Sequence, residues 1–512
     1  VNASARPRTV APVALADLAA RLRIGPDIAG FTGVHVTGIS MSSTSVRSGD
    51  LYAALPGART HGIRFVDDAV RAGAVAVLTD PAGADAARGS GLPVLVVEEP
   101  RTVVGEAAAR VYGDPADALT LIGVTGTQGK TTTTQLISAG LAAAGRRTAV
   151  IGTLGTRIGE RPVGSVLTTP EAPDLHALLA IMREEGVDLC AMEVSSHALV
   201  MGRVDGVRFD VTAFTNFGRD HLDFHGTVED YFAAKAALFT AQRTRRALLN
   251  ADDPKVATLL SRPEVPTSSY SASGAPATWR ARDVHEAPQG SSFTVTGPAD
   301  VRVPMELALA GRFNVANALC ALACVGAAGA DPAGLQALAK GIATVRSVAG
   351  RMEPVERGQA FRVFVDYAHK PDAVAASLAT LRDTTPGRVI VVIGAGGERD
   401  PGKRPLMGRL AAEFADTVIV TDDNPRSEDP ASIRAAILGG TRTAANVTEV
   451  LEIADRRDAI AAALTRATRA DTVLIAGKGH ETGQQVGEVT LPFDDRAVAV
   501  EALDVLAAGR QP

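Results

Sequence analysis

One stretch limits what this chain can become: Gly123-Val-Thr-Gly-Thr-Gln-Gly-Lys-Thr131. The apolar run closing on Leu121 and Ile122 reads as a buried strand, and Thr132 to Ala144 reads as a helix. A glycine-rich turn between the two leaves backbone N–H groups open at a helix N-terminus, where phosphate is the natural guest. Lys130 is placed to reach the β- and γ-phosphates of a nucleotide, and the Thr131 hydroxyl to bind Mg²⁺. The spacing departs from the commonest form of such a loop. Five residues separate Gly123 from Gly129, and Val124 stands where the first glycine usually does. Strand, glycines, lysine, hydroxyl and helix still follow one another in the right order. The chain therefore reads as an ATP- or GTP-using protein, with Lys130 a solvent-facing loop lysine.

A length of 512 residues suits about three domains. Hydrophobic residues make up 46% and charged ones 21%, as expected of a soluble globular protein. The net charge of −5 and the lack of a basic tail argue against nucleic acid as a partner. Cys190, Cys320 and Cys324 sit in apolar contexts and read as buried thiols of a reducing compartment, not a disulfide framework. Cys320 and Cys324 are one helical turn apart, but no histidine stands near enough to suggest zinc. The Ala/Leu stretch at 14–22 is broken by Asp17 and Arg21, so it reads as an amphipathic helix and not as a signal-peptide core. No run of about twenty apolar residues occurs, so no membrane span is expected. A cytoplasmic protein is the expectation.

The first unit, residues 1–117, is α/β. Asp50-Leu-Tyr-Ala-Ala-Leu, Ala74-Val-Ala-Val-Leu-Thr and Val94-Leu-Val-Val read as strands, and Gly62 to Gly73 as a helix. Ser42-Ser43-Thr44-Ser45 reads as a plain hydroxyl-rich turn. The second unit, residues 118–346, alternates strands at 120–124, 148–152, 187–193, 209–215 and 246–250 with helices. That pattern predicts a parallel sheet with its ligand crevice at the carboxyl ends of the strands. From about 265 to 309 short alternating runs predict a β-rich insertion. Gly311-Arg-Phe-Asn-Val-Ala-Asn317 then opens a helix through Ala327. The third unit, residues 347–512, is a second α/β pattern, Rossmann-like. Its strands are predicted at 361–365, 388–394, 417–421 and 472–476, and its helices at 371–382, 405–415, 431–438 and 457–468. Gly394-Ala-Gly-Gly397 follows a strand, but no acidic residue ends the next strand in the place a dinucleotide needs, so NAD is not expected.

Three constellations carry chemistry. Glu193 ends the run Leu189-Cys-Ala-Met-Glu and supplies a carboxylate where a Mg²⁺ ligand is wanted beside a phosphate loop. In Asn216-Phe-Gly-Arg-Asp-His-Leu-Asp-Phe-His-Gly226, His221 and His225 are four apart, yet Gly226 and Thr227 put the helix after them. They read as loop residues, one imidazole near a phosphate-bound cation or two structural histidines, and not as a zinc helix. Lys235, among Ala233, Ala234, Ala236 and Ala237, reads as a solvated residue on an alanine-rich helix.

Taken together, Gly126-Thr-Gln-Gly-Lys-Thr, Glu193-Val-Ser-Ser-His, Asp220-His-Leu-Asp, Gly311-Arg-Phe-Asn-Val-Ala-Asn, Asp366-Tyr-Ala-His and Gly477-Lys-Gly-His-Glu resemble the Mur ligases of peptidoglycan synthesis. The match covers nearly the whole chain, in order. Thr168-Thr-Pro-Glu, Asp423-Asn-Pro-Arg426 and Phe493-Asp-Asp-Arg are similar to the branch that adds the third amino acid to UDP-N-acetylmuramoyl-dipeptide. The resemblance implies an N-terminal α/β UDP-binding domain, a central P-loop ATPase domain and a C-terminal domain for the incoming amino acid. It implies that ATP phosphorylates the D-glutamyl carboxylate and that an amine attacks the acyl phosphate.

Carried over residue by residue, Gly126, Thr127, Gly129, Lys130, Thr131 and Thr132 form the nucleotide loop. Asn317, Arg351 and Asp366 match further nucleotide contacts. Lys130, His221 and Lys235 are the implied catalytic residues. Thr131, Glu193, His221 and Lys235 match the holders of two Mg²⁺ ions, Lys235 as a carbamate formed with CO₂. Ser43 matches a uridine-site serine, and Thr168, Thr169, Ser195 and Arg203 match contacts to the muramoyl-dipeptide. Arg399, Asp423, Asn424, Pro425, Arg426, Gly477 and Glu481 match the amino-acid pocket. Lysine-adding members differ at the arginine of the Asp-Asn-Pro-Arg motif, so Arg426 implies diaminopimelate, the meso isomer being commoner in the family. Arg399 then offers a second fork and Glu481 a partner for an ammonium. The chain departs from the family at Gln128, where Asn or Ser is common, at Ser42-Ser43-Thr44, and at Met201, where a glutamine often stands. A monomer acting on small molecules is expected. The rival reading is a folylpolyglutamate synthetase, which starts close to its phosphate loop; here over a hundred residues precede it.

Overall fold

Three sheets carry the chain in this computed structural model, which describes residues 5–24, 31–57, 59–164, 167–287, 289–444 and 449–508. The first is four-stranded and parallel: β1 (Gly38–Ser40), β2 (Asp50–Ala53), β3 (Ala76–Thr79) and β4 (Val94–Val96), in that order. Apolar clusters cover both faces, as a parallel sheet requires. The N-terminal amphipathic helix spans Leu15–Arg21 and drives Leu15, Leu18 and Ala19 into that core. The hydroxyl-rich turn after β1 is a short 3₁₀ turn, Ser43–Ser45.

The second sheet organises the molecule. Its strands are β5 (Thr120–Thr125), β6 (Thr148–Gly152), β7 (Gly155–Ile158), β8 (Arg161–Val163), β9 (Leu189–Glu193), β10 (Val211–Phe214), β11 (Ala247–Asn250), β12 (Thr267–Ser271), β13 (Trp279–Ala287), β14 (Gly290–Thr296) and β15 (Arg302–Leu307). All eleven join in the order β8-β7-β6-β9-β5-β10-β11-β12-β13-β14-β15. Strands β6 to β13 in that row pair in parallel, and both ends turn antiparallel. The β-rich stretch is therefore no separate insertion. Its first strand pairs in parallel with β11, and the alternating run extends the same sheet because Phe293, Val295, Val303 and Met305 share one apolar cluster with the parallel strands. Helix α1 (Lys130–Ala143) packs Leu136, Ile137 and Leu141 into that cluster, together with Val315, Leu319 and Leu322 of a long helix spanning Arg312–Ala327. Leu121, Cys190, Met192 and Phe214 fill the opposite face.

The third sheet follows: β16 (Glu353–Pro354), β17 (Arg362–Asp366), β18 (Val389–Ile393), β19 (Thr417–Val420), β20 (Glu449–Glu452) and β21 (Thr472–Ala476), ordered β16-β17-β21-β18-β19-β20. All pairs but the first are parallel. A hairpin of β22 (Gly483–Val486) and β23 (Val489–Pro492) stands outside it. The three cysteines are buried and free. Among the described residues no helix is long and apolar enough to cross a membrane.

Candidate active site

The carboxyl ends of three neighbouring strands converge. In register, Glu193 lies beside Val124 and Phe214 beside Thr125, so the loop after β5, the end of β9 and the loop after β10 share one edge. Gly126 takes φ +147° and Gly129 φ +82°. A Cβ on Gly126 would lie 1.9 Å from Thr215 Oγ1, and one on Gly129 2.4 Å from Asn317 Oδ1. Close approach and backbone angle thus both demand glycine. Helix α1 starts at Lys130, two residues earlier than the sequence pattern predicts. Lys130 is accordingly not a solvent-facing loop lysine. Its Nζ folds back to donate to the carbonyls of Gly126 at 2.7 Å and Thr127 at 3.3 Å. Burial lowers its pKa to about 8, and neighbouring Lys370 adds to the shift. First-turn N–H groups of α1 have no partner within the helix, which leaves donors for an anion.

Glu193 is 1% exposed. Its carboxylate accepts from the Thr153 N–H at 2.8 Å and the Thr153 hydroxyl at 3.1 Å. The Thr169 hydroxyl donates to the Glu193 carbonyl at 2.8 Å and accepts from the Ser195 N–H at 3.2 Å. Ser195 caps the next helical turn, its Oγ accepting from the Ala198 N–H. Thr168 Oγ1 lies 3.3 Å from Thr153 Oγ1.

The histidines differ from expectation. Leu222–His225 forms one short helical turn, with His221 at φ +50° as its N-cap. His221 Nε2 lies 2.9 Å from Asp220 Oδ2. His225 Nε2 is 2.9 Å from Ser196 Oγ, and the His197 ring meets His221 edge-on with centroids 4.7 Å apart. Burial, aided by the other two imidazoles, pushes His197 down to about 4. Burial opposes ionisation of Asp220, yet Lys370 and His221 hold its carboxyl far below the usual range.

Lys235 is a clear correction. It is 1% exposed, not solvated, on helix α2 (Val228–Ala236). Its Nζ donates to the Gly126 carbonyl at 2.8 Å and lies 4.8 Å from the centre of the Tyr231 ring. Burial, then the charges of Lys130 and Lys370, lower its pKa well below an ordinary lysine's.

The third unit closes the site. Arg351 Nη2 donates to the Thr131 hydroxyl at 3.1 Å, and its guanidinium lies over the Tyr367 ring. Asp366 ends β17 and ties its own loop to the segment before β16, accepting from the Ala368 N–H at 2.9 Å and the Met352 N–H at 2.6 Å. Burial pushes its carboxyl up. Asn317 donates to Asn314 Oδ1 at 3.1 Å. A cleft of about 400 Å³ results, lined by Thr127, Gly129, Lys130, Thr131, Thr132, Thr168, Glu193, Ser195, His221, Asn317, Arg351 and Asp366. Gly126 and Lys235 stand behind the loop. Sequence reasoning missed Thr153, Asn216, Asp220, Tyr367 and Lys370. Asp220 and Tyr367 lie inside the motifs and Lys370 directly follows one, whereas nothing local marks Thr153.

Other predicted residues gather elsewhere. Asn424 Oδ1 accepts from buried Lys478 Nζ at 3.0 Å and the Gln485 N–H at 2.9 Å, while its Nδ2 donates to Glu481 Oε2 at 2.9 Å. Lys478 also donates to Glu481 at 3.2 Å, so Glu481 already has a cation. Gly477, at φ +119°, leaves room for Asp423, whose Oδ2 would lie 2.6 Å from a Cβ there. Arg426, at φ +53°, donates from Nη1 to the Gly397 carbonyl at 2.6 Å, and its backbone bridges to Val486 of the hairpin. The carbonyl of Pro425 packs on Gly397. Arg399 faces Asp223 at 3.7 Å, so the two arginine forks are not assembled into one pair. Arg203 donates to Glu171 at 2.9 Å. Ser43 belongs to the four-stranded unit.

Three family profiles match in order: the Mur ligase family catalytic domain over residues 35–112, the Mur ligase middle domain over 124–325 and the Mur ligase glutamate ligase domain over 350–479. The chain belongs to the Mur ligase family. Its Mur ligase relatives include the UDP-N-acetylmuramoyl-L-alanyl-D-glutamate–2,6-diaminopimelate ligase of Streptomyces avermitilis, 52% identical over 97% of this chain and 98% of that one. The ligase of that name from Corynebacterium glutamicum is 48% identical over 91% and 92%. A solved structure of a ligase so named matches with a TM-score of 0.69 and 33% identity, over 97% of this chain and 100% of that one. E. coli FolC, with ADP, matches 80% of this chain at 20% identity and a TM-score of 0.58, which establishes a shared fold alone.

Proposed function

We propose that this Mur ligase joins diaminopimelate to the D-glutamyl carboxylate of UDP-N-acetylmuramoyl-L-alanyl-D-glutamate, with ATP converted to ADP and phosphate, in the cytoplasmic stage of peptidoglycan synthesis. One observation carries the reading: 52% identity over almost the full length of both chains to a relative named for that activity. On this reading residues 1–117 bind the UDP group, 118–346 the ATP and 347–512 the amino acid.

The chemistry suits the cleft. A carboxylate is a poor electrophile, so ATP converts it to an acyl phosphate. The amine attacks that carbon, and the tetrahedral adduct collapses to an amide as phosphate leaves. Lys130 and the first-turn N–H groups of α1 are preorganised donors for charge on the transferring phosphoryl group. The Thr131 hydroxyl, the Glu193 carboxylate and the His221 imidazole line one cleft and fit Mg²⁺. Bound there, Mg²⁺ would neutralise charge on the phosphates.

Lys235 fits the carbamate reading. CO₂ adds to a neutral amine with loss of one proton, and burial keeps this amine neutral far below the usual lysine range. Its Nζ donates to the Gly126 carbonyl of the phosphate loop, and a carbamate formed there would place an anion beside that loop.

A substrate panel tests the function. Enzyme, ATP, Mg²⁺ and the muramoyl-dipeptide are incubated with diaminopimelate or L-lysine, and product mass and ADP are followed. ADP is expected only with both acceptors present. Preference for diaminopimelate is expected to approach about 10⁴-fold in kcat/KM, as for a site that leaves a buried polar group unpaired with the wrong substrate. Comparable values for lysine would overturn it. In ¹³C-bicarbonate, a carbamate signal absent from Lys235→Ala is the matching outcome for the lysine.

A further inference from the structure

We propose that Lys370 is a positioning residue that locks the C-terminal α/β unit onto the central one by holding Asp220, and through it the His221 imidazole, over the phosphate loop. The inference rests on the ligase reading above and extends it to a residue outside the motifs.

Lys370 stands just before helix α3 (Pro371–Thr384), at the end of the loop that Asp366 knots. Asp366 accepts from the Ala368 N–H of that loop, from the Met352 N–H just before β16, and from the Ser377 hydroxyl, at 3.2 Å, on the following helix. The lysine is thus presented from a rigid base. Its ammonium lies 2.5 Å from Asp220 Oδ2 and donates to the Thr127 carbonyl at 3.4 Å. One side chain of the third unit therefore grips both loops of the second that line the cleft. Asp220 in turn contacts His221, whose φ of +50° is an uncommon backbone state for a residue other than glycine. Such a conformation persists where its surroundings hold it.

The plain alternative is an ordinary ion pair. Exposed pairs contribute little because water screens them. Here the side chains are only 12% and 14% exposed, so the pair is mostly out of water. Among the described residues the other ion pairs between these units, Arg219–Asp400 and Arg399–Asp223, are both 3.7 Å long and more exposed. Of the ion pairs between the two units, the short and buried one is therefore that of Lys370, beside the phosphate loop.

The experiment compares wild-type, Lys370→Met and Lys370→Arg full-length proteins. Steady-state kinetics are expected to give a kcat about 10²-fold lower for Lys370→Met, the scale of a misplacement of about 1 Å. KM for ATP is expected to stay near the wild-type value, and Lys370→Arg to recover most of the loss. An unchanged kcat, or a raised KM for ATP with kcat intact, overturns the proposal; the latter makes Lys370 a phosphate contact. A second readout needs no turnover. The ¹³C-labelled imidazole signal of His221, assigned by its loss in His221→Gln, is expected to shift in Lys370→Met and return in Lys370→Arg. A signal identical in all three folded proteins overturns the proposal. A wild-type enzyme that fails to ligate would instead count against the functional reading, and the ¹³C imidazole signal of His221 would then decide this proposal.

Discussion

Lys130 and Lys235 donate to one carbonyl, that of Gly126, at 2.7 and 2.8 Å, and among the described residues neither forms an ion pair. With Lys370 and Arg351 close by, positive charge crowds the loop, and among the described residues the short carboxylate contact there is that of Lys370 with Asp220. That crowding, after burial, is what lowers Lys130 to about 8. A nucleotide phosphate supplies the missing charge and raises the pKa again. The sign follows: the bound state favours the protonated lysine, so ADP affinity is full below about 8 and falls as pH rises above it. The expected slope is about tenfold per pH unit for one proton taken up. Calorimetry of ADP binding at pH 8.5 or so, in buffers of differing ionisation heat, should report that uptake; its absence would deny Lys130 a phosphate contact. The loop itself was legible because glycine, lysine and threonine have few other reasons to occur in that order between strand and helix. Lys235 was not legible from its alanine-rich surroundings. Its burial comes with the phosphate loop across the fold, where the Gly126 carbonyl accepts from Nζ, a contact that a local pattern does not encode.

Among the elements, β6 and β9 illustrate how a strand end is tuned. Glu193 fits because Gly152, the last residue of β6, has no side chain: a Cβ there would lie 2.3 Å from Glu193 Oε1. Gly152→Ala is therefore expected to displace the carboxylate while the fold persists, at an overpacking cost of about 1–3 kcal/mol. Turnover should fall by about 10²-fold, the scale of a small misplacement at the chemistry. A variant with wild-type turnover would show that Glu193 does not need this position. Thermal unfolding beside the kinetics separates the two effects. The buried parallel strands were readable because they are continuous apolar runs. Strand β20 and the β22–β23 hairpin were not: their side chains are half-buried to exposed, and pairing with β19 or with each other makes them strands. The β-rich stretch at 265–309 was readable as strands, but its attachment to the main sheet depends on the long-range pairing of β12 with β11.

At the scale of the molecule, the nucleotide edge and the Asp423–Glu481 cluster belong to different sheets. None of Asp423, Asn424, Arg426 or Glu481 lines the phosphate cleft. On the proposed function, an amine held in the second place has to reach an acyl phosphate formed at the first, and that intermediate has to be kept from water. The contacts between the two units are chiefly polar: Arg351 to Thr131, Lys370 to Asp220, Arg219 to Asp400 and Arg399 to Asp223. Their apolar clusters are separate apart from Phe313, which packs against the C-terminal core, and Val348, which joins the central one. Polar interfaces of this kind permit relative motion of domains. Arg399, 57% exposed and loosely set against Asp223 at 3.7 Å, is free to change partner when a carboxylate arrives. The third unit is therefore expected to turn about the Lys370–Asp220 contact toward the central one once nucleotide, muramoyl-dipeptide and amino acid are all bound. X-ray scattering in solution should give a smaller radius of gyration for the fully liganded enzyme than for the free one, with ADP alone producing only part of the change. Identical profiles for the free and fully liganded protein would mean that the two clusters already stand at reacting distance, and the predicted rotation would be wrong.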